Sequence, residues 1–97
     1  MNFVSSLMRQ QYLGRRRLEI EILQKSIIEN NILTFNKIGH QVIGNVKSYG
    51  FKNYIQAENI AHRMEQLKLI DLQVMGAEII KDYSIWIEQN IANDEIL

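Results

Sequence analysis

The sequence contains no cysteine and no proline. Without thiols, neither a disulfide framework nor a thiolate zinc site can form, and the composition suits a reducing compartment. Without proline, the strongest helix breaker is missing. Glycine is sparse, at five residues. Neither sign of charge is in excess: eleven Lys and Arg balance eleven Asp and Glu. That balance argues against a general nucleic-acid or membrane-surface binder. No apolar run approaches the ~18 residues of a membrane span. The start, MNFVSSLMRQ, lacks the basic lead and long apolar centre of a signal peptide, so a cytoplasmic location is the expectation. Residues for catalysis in isolation are also missing. There is no Gly-x-x-x-x-Gly-Lys phosphate loop and no legible Ser-His-Asp set. The two histidines, His40 and His62, have no metal-ligand partner at His-x-x-x-His spacing.

What is present is helical periodicity. Strand-type alternation is rare, and apolar residues recur at three- and four-residue intervals throughout. At 97 residues the chain reads as one domain able to bury a modest core. A short helix or extended lead-in is expected over residues 1–11, capping one end, and bundle helices over 12–29, 33–49, 54–67 (or 68) and 71–89. Residues 91–97 read as a tail or last turn. Asn30 and Asn31 mark a tight connection. Asn31 or Thr34, Asn53 and Asp71 are candidate N-caps. The buried stripes predicted are Leu13, Ile20, Leu23 and Ile27, broadened by Leu18, Ile22 and Ile28; then Ala57, Ile60, Ala61, Met64 and Leu67; then Leu72, Met75, Ile79, Tyr83 and Trp86, with Ile80 and Ile87 beside them. Four amphipathic helices with short links favour an all-α, antiparallel up-down four-helix bundle with a short N-terminal capping helix.

The stretch that organises the rest is FNKIGHQVIGNVKSYGF, residues 35–51. At about 100° per residue, Phe35, Ile38, Val42, Val46 and Tyr49 share one stripe. His40 falls roughly 160° from its centre, pointing outward. Gly44, Lys37 and Lys47 lie on the same outer face. Gly39 falls near the apolar stripe, where close helix packing explains it. Gly44 has no such account: an interior helix glycine costs about 1 kcal/mol relative to alanine, so it makes sense if something approaches the backbone there. Gly50 sits where a helix should stop in a left-handed residue, with Phe51 packing back. An exposed histidine such as His40 is otherwise a solvated surface residue, and His62 reads as one. Arg15, Arg16 and Arg17, balanced by Glu19 and Glu21, read as a solvated charged face.

The spacing of His40, Gly44 and Gly50 resembles that of the histidine-containing phosphotransfer (Hpt) domain of bacterial two-component phosphorelays. That family carries a His-x-x-Lys-Gly core followed by a further glycine six residues on. The likeness extends to Ile38-Gly39-His40 and Ser48-Tyr49-Gly50-Phe51. It continues upstream to Tyr12 with Arg15-Arg16-Arg17, and downstream to Ile60, Met64 and Glu65 at the hydrophobic and glutamate positions of the next helix. It therefore spans nearly the whole chain. One departure matters: the lysine expected three residues after the histidine is Ile43.

The resemblance implies a signal-transduction carrier. His40 would accept a phosphoryl group from the phosphoaspartate of a response-regulator receiver domain and pass it to another receiver. The receiver would supply Mg²⁺ and the catalysis, and this chain needs no cofactor of its own. Gly44, Lys37 and Lys47 are the expected phosphate-proximal residues, the two lysines standing in for the one absent at position 43. Contact with the partner is expected at Leu33, Gln41, Ile43 and Ser48. Receivers, and a hybrid histidine kinase, are the expected partners of a monomer that binds neither nucleic acid nor membrane. Ile43 keeps open an adaptor of the same fold that docks a receiver or kinase without carrying phosphate. An unrelated helical oligomerisation module and a nucleic-acid-binding bundle are further alternatives, the last opposed by the neutral charge.

Overall fold

The computed structural model describes residues 4–95. Four α-helices make up most of it: α1 (Ser6–Ile28), α2 (Ile32–Asn45), α3 (Tyr54–Gln66) and α4 (Leu72–Glu95). A 3-10 turn, Val46–Tyr49, prolongs α2, and a second, Leu69–Asp71, leads into α4. No strand occurs among the described residues, and no helix there is long and apolar enough to cross a membrane.

The lead-in is not a separate capping helix. Ser5 caps α1, its hydroxyl accepting from the Met8 amide at 3.1 Å, and Ser6–Ile28 is one helix. Nothing between Ser6 and Gln11 breaks the backbone ladder, so the periodic segment simply starts earlier. The part of the expected cap over residues 1–3 lies outside the described residues. At the other end, α4 runs on to Glu95, absorbing most of the expected tail; residues 96 and 97 lie outside. The link between α1 and α2 is a left-handed stop. Asn30 takes φ 56°, its amide donates to Ile27 O at 3.1 Å, and that of Asn31 donates to Ser26 O at 2.8 Å, as a Schellman motif requires. Asn31 and Asn53 stand at the N-cap positions of α2 and α3, but neither side chain makes the capping bond, and Asp71 closes the 3-10 turn ahead of α4.

Helix α2 packs most extensively on α3, and α1 on α4; the α1–α2 and α3–α4 contacts are smaller. The predicted stripes of α2 and α3 are buried, with Tyr49 at the edge. In α4, Leu72, Ile79, Ile80, Tyr83, Trp86 and Ile87 are buried, but Met75 is exposed. Gly76 takes its place, and a Cβ there would stand 2.9 Å from Ile27 Cδ1 of α1. Trp86 anchors the core: its indole N–H donates to Asn53 O at 3.1 Å, and Phe51 meets it edge-on at 5.1 Å.

The stripe of α1 is where the reading fails. Leu13 and Leu23 are buried and Ile20 and Ile27 partly so, but Leu18, Ile22 and Ile28 face solvent. Tyr12, Glu19 and Ser26 are buried instead. Glu19 accepts from Tyr83 Oη at 2.8 Å and lies 2.9 Å from Arg16 Nε. Tyr12 Oη donates to Asn45 Oδ1 at 2.6 Å, and the Arg16 guanidinium sits over the Tyr12 ring. Ser26 Oγ donates to Leu23 O at 2.6 Å, so Tyr12, Glu19 and Ser26 are each hydrogen-bonded, and polar residues can occupy the inner face.

Burial raises the Tyr12 phenol to about 12 from 10.0, and burial with the Glu19 carboxylate beside it pushes Tyr83 far above the usual phenol range. Between pH 10 and 12 the unfolded chain therefore binds fewer protons than the folded one, so stability must fall as pH rises through that window. The urea midpoint is expected to drop there, and to drop less steeply in Tyr12→Phe. An equal slope in both proteins would reject the assignment.

Candidate functional site

The site is built where α2 and α3 touch. The apolar stripe of α2 turns Gly39 toward α3, and the approach is as close as backbones allow. A Cβ on Gly39 would lie 2.5 Å from Ala61 O and 2.6 Å from Glu65 N. Asn36, one turn earlier, ties the same end of α3. Its amide nitrogen lies 3.0, 3.0 and 3.1 Å from the carbonyl oxygens of Met64, Glu65 and Leu67, and so satisfies groups the end of a helix leaves open.

This clasp brings the Glu65 carboxylate to His40. Nδ1 and Oε2 are 2.6 Å apart, with the imidazole side chain 81% exposed and the carboxylate 33%. An ionised carboxylate only accepts hydrogen bonds, so the proton of this bond belongs to Nδ1. Nε2 then has no partner among the described residues, and in the neutral ring it carries the lone pair. The outward histidine expected from the sequence is thus found outward, and one nitrogen is spoken for.

Gly44 is exposed on the same helix, and a Cβ there would meet nothing within 4 Å. No contact among the described residues requires a glycine at that position. Lys37, Leu33 and Gln41 are exposed. Lys47 is exposed just beyond the end of the α-helix. The α-helix ends at Asn45 and tightens to 3-10 geometry, which changes the angular step per residue. Its Nζ lies 5.8 Å from the centroid of the Tyr54 ring. Ser48 is exposed, but its hydroxyl donates to Asn45 O at 2.7 Å. Ile43 is half-buried and packs against the core. His62 is exposed on α3.

Glu65, marked in the sequence only as a helix position of the family resemblance, was left out of the expected site. Its signal was indirect: a glycine beside the histidine implied a close neighbour helix, and Glu65 follows Ala61 by one turn on the face that supplies it. The fold and this site together define a small all-helical domain presenting one solvent-exposed histidine–carboxylate pair. Compared with protein-family models, with curated proteins and with solved structures, the chain matches none.

Proposed function

We propose that this chain is a phosphorelay carrier of the Hpt kind, with His40 as phosphoacceptor. The observation that carries the reading is the exposed imidazole whose Nδ1 is bonded to Glu65, leaving Nε2 outward. The Nε2 lone pair attacks the phosphorus of a receiver's acyl phosphate. The N–P bond forms as the P–O bond to the aspartate breaks, and the carboxylate leaves on the receiver. Positive charge developing on the ring is met by Glu65 across the Nδ1–H bond. The reverse step hands the group to a second receiver. Phosphoryl transfer is mostly positioning and charge neutralisation, which the receiver's Mg²⁺ supplies. Lys37 is the nearer cation on the outer face of α2, and Gly44 leaves room for the partner's loops.

The bundle is read as antiparallel and up-down. The pairs Arg9–Asp94, Arg17–Glu88, Glu19–Tyr83 and Ile27–Gln73 support it, since numbers rise on α1 as they fall on α4. The carrier is taken to act as a cytoplasmic monomer. Ile43 in place of a cation favours a second reading, the adaptor that docks without carrying phosphate.

The test is to incubate the chain with receiver domains from its own source, charged with acetyl phosphate. Acid-labile, base-stable label on the chain is expected. Binding with no label would favour the adaptor, and neither binding nor label would reject both readings.

A further inference from the structure

We infer that the cavity at the Arg9–Asp94 end of the bundle binds a small zwitterion of the α-amino-acid class, independently of His40. The cavity is about 520 Å³. Its lining includes Arg9 of α1, Phe51, Lys52 and Asn53 of the link into α3, and Asn90 and Asp94 of α4. Gly50, left-handed at φ 77°, turns the chain into that link.

The buried part of the lining is rich in acceptors and short of donors. Asn53 Oδ1 is buried with no hydrogen-bond partner among the described residues. Asn90 is 8% exposed. Its amide nitrogen donates to Trp86 O at 2.8 Å, which leaves its Oδ1 without a partner among the described residues. The Asp94 side chain is 9% exposed, and its two oxygens share one donor, Arg9 Nε, at 3.3 Å from each. An ionised carboxylate has about four acceptor sites, so most of its capacity is unused. Asn90 and Asp94 stand one turn apart on the same helix face. Trp86 joins Asn53 to them, its indole N–H donating to Asn53 O at 3.1 Å.

That shortage defines the ligand. A buried acceptor left unpaired is costly, and a primary ammonium brings three donors and no acceptor, with a charge opposite to that of Asp94. A bare cation is a poor match, because Arg9 and Lys52 set two positive charges against one carboxylate in the lining. Lys52 is exposed and has no carboxylate partner among the described residues, so it can meet an anionic group at the rim. An ammonium and a carboxylate on one small frame answer both requirements, and Phe51 gives the frame an apolar wall.

The fold makes no use of the Asn53 side-chain oxygen. Asn53 stands at the N-cap position of α3 without forming the capping bond. Asn53→Ala therefore removes an acceptor of the site while leaving every hydrogen bond of the fold in place.

The experiment titrates the protein with L-alanine, L-serine and L-leucine, and with ethylammonium and propionate as the two half molecules, followed by ¹H–¹⁵N NMR. At least one amino acid is expected to shift the Gly50 and Lys52 amides and the Asn53 and Asn90 side-chain amides saturably, with each half molecule binding at least tenfold more weakly. Asn53→Ala should weaken binding roughly tenfold, as loss of an acceptor to a charged donor does, with no fall in melting temperature. Lys52→Ala should weaken it several-fold, and His40→Gln should bind as wild type. The inference is overturned if no amino acid gives saturable shifts, if either half molecule binds as tightly as the amino acid, or if Asn53→Ala keeps wild-type affinity. A lower melting temperature in Asn53→Ala also overturns it, since the oxygen would then serve the fold. Phosphate on His40 enters none of these readouts, so this inference and the carrier reading stand or fall separately.

Discussion

Gly39→Ala is expected to destabilise the protein by about 3 kcal/mol, the upper end of the cost of overpacking. The reason is the identity of the atoms in the way. The added methyl would meet Ala61 O at 2.5 Å, Glu65 N at 2.6 Å and Met64 Cβ at 2.8 Å. None of these is the free end of a flexible side chain, so relief requires α2 and α3 to move apart along their most extensive contact. For a domain of this size such a loss lowers the melting temperature by roughly 15 °C. Gly44→Ala on the same helix is the control. Nothing lies within 4 Å of that methyl, and alanine is favoured over glycine in a helix by about 1 kcal/mol, so this variant should be slightly more stable. Two Gly→Ala changes in one helix thus carry opposite signs. Thermal and urea unfolding followed by circular dichroism reads both. A Gly39→Ala protein as stable as wild type would mean the helices are not in backbone contact there.

Most of the architecture could be read from apolar spacing because in α2, α3 and α4 the dominant apolar stripe is the face that packs inward. The predicted faces of α2 and α3 are the buried ones, and α4 departs only where Gly76 replaces Met75 against Ile27. Helix α1 could not be read this way. Its inner face carries Tyr12, Glu19 and Ser26, and its outer face Leu18, Ile22 and Ile28, so its hydropathy pattern does not mark the core. Polar burial there depends on partners far away in sequence, such as Tyr83 for Glu19 and Asn45 for Tyr12, which no local window contains. The end of α2 was misjudged for a related reason. Asn45, held by Tyr12 and Ser48, ends the α-helical stretch, and Lys47 follows in the 3-10 turn. At the site, the outward setting of His40 follows from periodicity alone. Its pairing with Glu65 is tertiary: Gly39 implied a close neighbour helix, and the family resemblance marked Glu65 without giving it a partner.

That pairing sets the other large expectation. His40→Gln should carry no label at all, since an amide offers no lone pair of comparable nucleophilicity. Glu65→Ala should keep the acceptor and slow its labelling about 10- to 100-fold, the usual cost of losing a carboxylate that orients an imidazole. Two contributions make up that loss. Without Oε2 at 2.6 Å the ring no longer favours the tautomer protonated at Nδ1, so the lone pair is less often on the outward Nε2. The positive charge that grows on the ring as the N–P bond forms also loses its counter-ion. Glu65→Gln separates the two. Its –NH₂ can donate to Nδ1, which would hold the proton on Nε2 and block attack, as an amide in place of an orienting carboxylate does elsewhere. Glu65→Gln should therefore be no better than Glu65→Ala, although glutamine is the closer match in shape. A purely structural role for Glu65 predicts the reverse order, with the isosteric variant the milder. Ring ¹⁵N shifts of His40 give an independent readout: the proton should sit on Nδ1 in the wild type and shift toward Nε2 in Glu65→Gln. If both variants label at the wild-type rate with unchanged ring shifts, the carboxylate is not setting the reactive nitrogen, and exposure alone would have to account for any reactivity of His40.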